Sequence, residues 1–216
     1  MSELVVVTQP QRGVGPALVR KLESLGYTVI GLTFAQNPGA SMSELIELAR
    51  SSWQGRKVSR LVNNIWMEEG IQKSAAPSLA DAADAAIRLP TACLRAMLPS
   101  MQSSGFGRVV NVVGSAVPGL WPWHGPVGET VGAATRSWAM ELGARAIHVN
   151  AVAVGAIDIP EFHRLHSDPH AYAASVPLGR IAQATEVAGV VGFLLGPDAS
   201  YMTGQTLHVC GGLSIG

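Results

Sequence analysis

The feature that most constrains the fold is a β-branched run followed by a glycine-bearing turn and a helical stretch. Leu4–Thr8 reads L-V-V-V-T, Gly13 and Gly15 lie in the turn, and residues 16–25 carry apolar side chains at helical spacing. A buried strand that passes through a glycine turn into a helix is the first half of a βαβ unit. This opening predicts a parallel sheet whose strands are joined by crossover helices.

Strand and helix patterns continue to alternate along the rest of the chain. Buried β-branched runs predict strands at residues 27–33, 60–65, 108–113, 147–154 and 205–209. Helical spacing predicts helices at residues 41–54, 78–103, 129–144 and 185–195, and the sequence of residues 158–176 is typical of a polar loop. The alternation indicates an α/β fold with a doubly wound parallel sheet, Rossmann-like, formed by residues 1–216 as a single domain.

Particular residues predict where these helices begin and break. Ser41 and Glu44 form a capping box, and Thr185 is expected to cap the last helix. Pro90 and Pro99 are expected to interrupt the long helix, because each proline removes a backbone hydrogen-bond donor.

Composition and charge narrow the classes of partner. Of the 216 residues, 48% are hydrophobic and 14% are charged, and the charged fraction of an average protein is about 25%. Such a low charged fraction favours a surface that is partly covered by other subunits. The formal net charge is zero, which gives no electrostatic basis for binding nucleic acid or an anionic membrane.

Cysteine usage and the first residues of the chain favour a cytoplasmic protein. Cys93 and Cys210 match neither a metal pair nor a disulfide framework, so both are expected to be buried and reduced. The sequence M-S-E-L-V-V-V-T lacks the basic region and cleavage site of a signal peptide. No apolar run approaches the roughly 20 residues that span a bilayer.

Six segments, in order along the chain, carry a resemblance to a known family. They are T-Q-P-Q-R-G-V-G at 8–15, L-V-N-N at 61–64, G-R-V-V-N-V at 107–112, H-V-N-A-V-A-V-G at 148–155, P-L-G-R-I-A-Q-A-T-E-V-A at 177–188 and S-Y-M-T-G-Q-T-L-H-V-C-G-G at 200–212. On these segments the chain resembles the short-chain dehydrogenase/reductase (SDR) family over nearly its whole length. The interval from Thr8 to Asn63 is shorter than in that family, which predicts that one helix and an edge strand after the second strand are absent.

The resemblance implies a catalytic Tyr-x-x-x-Lys that this sequence does not supply. Spacing relative to Glu141 puts His124 at the tyrosine position and Gly128 at the lysine position. No tyrosine occurs between Tyr27 and Tyr172, so a small shift of the alignment does not restore the pair. Classical carbonyl reduction is therefore not expected.

Other residues at the implied catalytic positions still offer chemistry. Arg88 takes the place of the family's asparagine, and the serine position falls on Gly114 by strict spacing or on Ser115 after a one-residue slip. A histidine can act as a general base near neutral pH and an arginine can bind a carboxylate. His124, Arg88 and Ser115 are therefore candidate non-redox catalytic residues; the open alternative is that His124 is a polar loop residue and Arg88 forms a salt bridge. The expected apolar walls of the pocket are Trp66, Trp121 and Trp123.

The cofactor turn that the resemblance implies is also altered. In the family it reads T-G-x-x-x-G-x-G; here Gly13 and Gly15 remain, and Gln9 replaces the first glycine. Arg12 is left as a residue that could meet a phosphate, and Trp66 is expected to fill space on the adenosine side. The prediction is that the turn is vestigial and that no cofactor is used, with weak NAD(P) binding as the alternative.

A cluster of histidines raises the question of a metal site. His163, His166 and His170 lie near Glu161 and Asp168, at spacings that would place them on one helical face. Imidazole and carboxylate ligands suit zinc. The Asp168-Pro169 step breaks that face, so no metal site is predicted, and whether these histidines bind metal stays open.

Three functions follow from these observations. The favoured one is a non-catalytic, pseudo-oxidoreductase subunit or scaffold, which forms a homo-oligomer (dimer or tetramer) or pairs with an active SDR paralogue. The second is a cofactor-independent lyase, isomerase or hydrolase that uses His124 and Arg88 on a small apolar or carboxylate-bearing ligand. The third is an atypical NAD(P)-dependent oxidoreductase with displaced catalytic groups.

Overall fold

A parallel sheet of six strands runs through the part of the chain that the computed structural model describes, residues 3–33, 41–53, 55–65, 79–115, 124–166 and 168–214. In chain order the strands are β1 (Leu4–Thr8), β2 (Thr28–Leu32), β3 (Arg60–Asn64), β4 (Gly107–Gly114), β5 (Ile147–Val154), β6 (Ile157–Asp158), β7 (Ala182–Gln183) and β8 (Thr206–Val209). The sheet order is β2-β1-β3-β4-β5-β8, and β6 pairs with β7 apart from it. The doubly wound α/β sheet predicted from the sequence is confirmed.

Helices cover both faces of this sheet. They are α1 (Gly15–Ser24), α2 (Met42–Ser52), α3 (Leu79–Ser104), α4 (His124–Leu142), α5 (Pro160–Leu165), α6 (Pro169–Ser175) and α7 (Ala184–Leu195). The core on one face takes side chains from α1, α5 and α7, and the core on the other takes them from α2, α3 and α4. Of the helices in the described residues, none is long and apolar enough to cross a membrane.

Strand β1 shows why its sequence is a continuous apolar run. Val5 and Val7 belong to the core under α1 and α7, and Val6 belongs to the opposite core. All three side chains are fully buried. A strand covered on both faces needs apolar residues at every position, which is typical of parallel sheets.

The region between β2 and β3 agrees with the predicted shortening. In the part of this interval that the structure describes, α2 is the one helix. Strand β2 forms the edge of the sheet in the described residues. The predicted capping box is confirmed, since the Glu44 N–H donates to Ser41 Oγ at 3.2 Å and the Ser41 N–H donates to Glu44 Oε2 at 2.7 Å.

The prediction that prolines interrupt the third helix is wrong. Helix α3 is continuous from Leu79 to Ser104, with Pro90 and Pro99 inside it. Buried side chains hold the helix on both sides of Pro90, among them Ala86 and Met97. Tertiary packing of this kind provides most of a helix's stability in proteins. Helix α3 therefore tolerates the loss of the backbone hydrogen bonds that the prolines cannot make.

Three predicted boundaries also need correction. Helix α4 begins at His124 and not at Glu129, so His124 is not a loop residue. Residues 158–176, predicted as a polar loop, contain α5 and α6, and Asp168 Oδ1 caps α6 by accepting from the Ala171 N–H at 3.0 Å. The capping residue of α7 is Gln183 rather than Thr185.

Two arginines lie buried side by side at the amino-terminal ends of β3 and β4. Arg60 and Arg108 are register partners and are 6% and 4% exposed. Arg60 forms an ion pair with Glu3 at 2.7 Å, and Arg108 donates to the Ala199 carbonyl at 2.9 Å. Arg108 Nη1 also lies 2.8 Å from Nδ1 of His148 on β5. Because a guanidinium only donates, this contact requires an unprotonated Nδ1 and favours the neutral imidazole.

We expect acidification to destabilise the protein through His148. Burial, and then the charge of Arg108, lower the pKa of His148 below its usual value of 6.5. The unfolded chain therefore binds the proton more readily, so the stability that His148 provides is full above about pH 6.5 and falls as the pH decreases below it. Urea unfolding at about pH 7.5 and about pH 5 should show a smaller acid-dependent loss in His148→Gln than in the native chain.

The matched control for this prediction is His170→Gln, because His170 is exposed on α6. That variant should keep the native loss of stability on acidification. An equal loss in His148→Gln and in the native chain would contradict the assignment to His148.

Candidate functional site

The turn between β1 and α1 has the backbone of a dinucleotide-binding turn. Gln9 and Gly13 both adopt left-handed conformations, with φ of 48° and 53°. A Cβ added to Gly15 would lie 2.6 Å from the Pro10 carbonyl oxygen, which only glycine avoids. Gln9 therefore occupies the conformation that a glycine would take at the first position of the family turn.

Asn64, the last residue of β3, holds this turn in place. Its side-chain Nδ2 donates to the carbonyls of Gln9 and Arg12, each at 3.0 Å, and its backbone N–H donates to Thr8 Oγ1 at 3.0 Å. The Asn64 residue is 2% exposed. Its role is to fix the turn, which sequence reasoning had recognised only as part of the L-V-N-N segment.

The end of α1 that faces this turn suits an anionic group. Val14 is the N-cap residue and offers no side-chain cap to the helix. Within the described part of the chain, the backbone N–H groups of Gly13 and Val14 have no hydrogen-bond acceptor. Uncapped N–H groups and the helix dipole together favour a phosphate at this position. The residues present therefore fit the pyrophosphate of a nicotinamide dinucleotide.

We expect Gln9→Gly to raise the free energy of unfolding by about 1 kcal/mol, because the substitution relieves the left-handed strain of a residue with a Cβ. Urea denaturation measures this change. Gln9→Ala is the control, since it removes the same side chain beyond Cβ but keeps the strain. Equal stability of the two variants would show that the Gln9 backbone is not strained.

The start of α4 packs directly against the end of β4. A Cβ added to Gly128 would lie 2.7 Å from the carbonyl oxygen of Gly114. That distance is too short for any side chain unless the backbone moves. The position that spacing predicts for the family lysine is thus one where this helix admits only glycine.

Buried polar side chains fix α4 against the sheet. Asn63 Nδ2 donates to Asn111 Oδ1 at 2.8 Å, and Asn111 Nδ2 donates to Thr135 Oγ1 at 2.9 Å. Asn111 and Thr135 are fully buried. In a low-dielectric interior such hydrogen bonds are strong, so they lock β3, β4 and α4 in one register.

Ser115 lies one residue beyond the end of β4. It is 2% exposed, and its N–H donates to the Val154 carbonyl at 2.7 Å. Its hydroxyl oxygen lies 3.4 Å from Nδ1 of His208, which is exposed on β8. Sequence reasoning missed His208, because the sheet order alone brings residue 208 beside residue 115.

A groove of about 410 Å³ opens beside His208 at the carboxyl end of the sheet. Ala156, Pro177, Arg180 and Glu186 line it together with His208. Arg180 donates through both Nη atoms to the two Glu186 oxygens, each at 2.7 Å. The hydrogen bond from Arg180 is the main reason why the pKa of Glu186 falls to about 2.

The other predicted catalytic residues are Arg88 and His124. Arg88 lies on α3 and its Nε is 3.7 Å from Asp84 Oδ2, in agreement with the salt-bridge alternative. The His124 side chain lies outside the described residues. Trp66, Trp121 and Trp123 also lie outside them. The convergence of His124, Arg88 and Ser115 on a tryptophan-lined pocket therefore stays a prediction.

The histidines considered as metal ligands have other neighbours. His163 Nε2 lies 2.6 Å from Asp158 Oδ1, and His166 stacks on Phe162 with a centroid distance of 4.4 Å. His170 lies on α6. In the residues that the structure describes, no three histidine, cysteine or acidic side chains gather in a way that could hold a metal ion.

Both cysteines are free and buried, as predicted. Burial raises the pKa of Cys93 to about 12. Its thiol therefore stays protonated at neutral pH, which makes it a packing residue of α3 and a poor nucleophile.

The fold defines an oxidoreductase-like protein of the Rossmann-like class. The family model described as enoyl-(acyl carrier protein) reductase matches residues 37–214. The 3-oxoacyl-(acyl-carrier-protein) reductase FabG of Haemophilus influenzae is 33% identical, over 98% of this chain and 98% of its own length. The chain belongs to the short-chain dehydrogenase/reductase family.

Two further relatives bear on the site. The (2S)-((R)-hydroxy(phenyl)methyl)succinyl-CoA dehydrogenase subunit BbsC of Thauera aromatica is 29% identical, over 91% of this chain and 79% of its own length. The fold is also similar to that of an actinorhodin polyketide ketoreductase whose crystal structure contains NADPH. The two chains share 26% sequence identity, with a TM-score of 0.79 over 98% of this chain and 97% of the ketoreductase.

The prediction that no cofactor is used is wrong. The family relatives are reductases, and the ketoreductase of the same fold was solved with NADPH. The physical reason for the error lies at Gln9. Loss of the first glycine predicts loss of the turn, yet Gln9 adopts the left-handed conformation and the turn keeps its shape.

Proposed function

We propose that this protein is an NAD(P)-dependent oxidoreductase of the SDR family in which proton donation has moved away from the family's Tyr-x-x-x-Lys positions. The observation that carries the proposal is the preserved turn after β1. Gly13 has the required left-handed backbone, Gly15 admits no side chain, and Asn64 clamps the turn from β3.

The chain's own residues would hold the cofactor at its phosphates. The N–H groups of Gly13 and Val14 lie at the start of α1, and Arg12 lies in the same turn. When bound, a reduced nicotinamide supplies hydride to a carbonyl carbon. The carbonyl oxygen then needs a proton, and the hydroxyl of Ser115 at the end of β4 is our candidate donor.

Calorimetric titration with NADPH and with NADH tests the cofactor part of the proposal. We expect saturable heat with one of the two. A turnover assay then follows oxidation of the bound dinucleotide with acetoacetyl thioester as a probe, chosen because the FabG relative is a 3-oxoacyl reductase. No heat with either cofactor at millimolar concentration would overturn the proposal.

A second candidate is a subunit that binds the cofactor but does not reduce a carbonyl. The close contact between Gly128 and Gly114 favours it, because it closes the lysine position to any side chain. The BbsC relative is named as a dehydrogenase subunit. Met140 on α4 is 87% exposed, and Tyr201 is fully exposed, which suits burial against another chain. Purification from the native host separates the two: a strictly homomeric protein contradicts pairing with an active paralogue.

A further inference from the structure

We propose that His208 is a proton-relay residue that acts through Ser115. The inference rests on the proposed oxidoreductase function and names the route by which its proton donor is resupplied. It makes His208 a positioning and relay residue, and it leaves contact with the substrate to Ser115.

The sheet itself brings the two side chains together. Strand β5 lies between β4 and β8, with Ala153 as the register partner of His208. Two positions further along, just past the end of β5 and on the same face, is Gly155. With an alanine and a glycine between them, nothing large stands in the path of the imidazole, and Nδ1 comes within 3.4 Å of Ser115 Oγ.

The packing of Gly155 against β8 leaves no room for a larger residue at this position. A Cβ added to it would lie 2.8 Å from Cα of Cys210, so no larger residue fits at that point. Its N–H donates to the Val209 carbonyl at 3.0 Å, which keeps β8 in register beside β5. The diagonal from Ser115 to His208 is therefore fixed by the backbone.

The two groups differ in their access to solvent in the way a relay requires. Ser115 is 2% exposed, whereas His208 is exposed and lines the groove at the carboxyl end of the sheet. A buried hydroxyl that gives up a proton must recover it, and an imidazole can carry protons between such a group and water. A separation of 3.4 Å is long for a hydrogen bond, and contacts of this kind often tighten when substrate binds.

The proton balance of the step is simple. Hydride addition to the carbonyl carbon moves the carbonyl electron pair to oxygen, and that oxygen takes the proton of Ser115 Oγ. Ser115 Oγ takes the Nδ1 proton of His208, and Nε2 of His208 takes one from water in the groove. One carbonyl, one hydride and one proton give one alcohol.

The surroundings of His208 favour a relay over a nucleophilic serine. A hydrolytic Ser–His pair needs a carboxylate that orients the imidazole. Glu186 lines the same groove, but both of its oxygens accept from Arg180 at 2.7 Å. Among the described residues that line the groove, Glu186 is the one carboxylate. The exposed imidazole of His208 therefore has no carboxylate there to orient it and is accessible to solvent.

Nitrogen-15 NMR of the imidazole tests the contact without any substrate. If Nδ1–H of His208 donates to Ser115 Oγ, as the relay requires, His208 is held as the Nδ1–H tautomer. We expect Ser115→Ala to shift His208 towards the mixture of tautomers of a free imidazole, and Ser115→Thr, which keeps a hydroxyl, to restore the native signals. Signals that do not respond to Ser115→Ala would overturn the relay.

Turnover tests the role of the contact. His208→Gln should lower kcat about 100-fold, a typical effect for loss of a proton-transfer group, and leave the Kd of NADPH and the KM of acetoacetyl thioester unchanged. His170→Gln, on exposed α6, is the matched control and should leave kcat unchanged. Unchanged kcat in His208→Gln contradicts the relay, whereas absence of cofactor binding in the native chain contradicts the proposed function and leaves the NMR result to decide the contact.

Discussion

Gly128→Ala is expected to lower the free energy of unfolding by about 2 kcal/mol, because the added methyl group would lie 2.7 Å from the Gly114 carbonyl oxygen. Both partners are backbone at this point, in the first turns of α4 and at the end of β4. Neither can move without disturbing the asparagine hydrogen bonds that fix α4 on the sheet. Chemical denaturation of the two proteins measures the loss.

Gly132→Ala is the matched control on the same helix. Its Cβ would lie 3.5 Å from Thr206 Oγ1, an ordinary contact distance. Alanine is the better helix former by about 1 kcal/mol, so this variant should be as stable as the native chain or more stable. Equal stability of the Gly128 and Gly132 variants would show that α4 is free to shift away from β4.

The same contact predicts the outcome of an attempt to rebuild the family's catalytic pair. The double variant His124→Tyr, Gly128→Lys places a long side chain where even one methyl group is too close. We expect the lysine to displace α4 and to destabilise the protein at least as much as Gly128→Ala. A folded double variant with increased carbonyl reduction would contradict this account of the site.

Local pattern was sufficient to predict most of the sheet. The predicted strands at Leu4–Thr8 and Ile147–Val154 coincide with β1 and β5, and the capping box at Ser41 and Glu44 starts α2 as expected. These signals are local: an apolar run between turn residues, or a hydroxyl and a carboxylate three residues apart. The structure agrees with these local signals because no contact with distant residues favours a different conformation there.

Two of the wrong predictions share a cause, which is that distant packing outweighs local preference. Pro90 removes a backbone donor, yet buried neighbours on both sides keep α3 whole. Gln9 disfavours a left-handed backbone, yet its N–H donates to Leu32 at 2.8 Å and its carbonyl accepts from Asn64 at 3.0 Å. These contacts from β2 and β3 impose the turn, so the missing glycine, one of the grounds for predicting no cofactor, does not remove the turn.

The candidate site was predictable only in part for the same reason. Strict spacing indicates Gly114 at the serine position and reaches Ser115 only after a one-residue slip. Its partner His208 lies 93 residues away in sequence. Only the strand order β4-β5-β8 makes them neighbours. The reason that glycine stands at residue 128 was equally hidden, because it depends on the backbone of Gly114.

Gly15→Ala should abolish dinucleotide binding and lower the free energy of unfolding by about 3 kcal/mol. The added Cβ would lie 2.6 Å from the Pro10 carbonyl oxygen and 2.7 Å from that of Gln9, so the turn must open to accept it. Opening moves the N–H groups of Gly13 and Val14 away from the phosphates. Each hydrogen bond to a charged group contributes about 1.5–3 kcal/mol, so loss of both should weaken NADPH binding by at least about 100-fold.

Calorimetric titration of Gly15→Ala with NADPH, at a temperature where unfolding measurements show the variant to be folded, separates loss of binding from loss of fold. Gly189→Ala on α7 is the matched control, because no atom lies within 4 Å of its added Cβ. That variant should bind NADPH as the native chain does. If Gly15→Ala bound NADPH with native affinity, the turn after β1 would not be the phosphate site, and the cofactor would have to be held elsewhere in the protein.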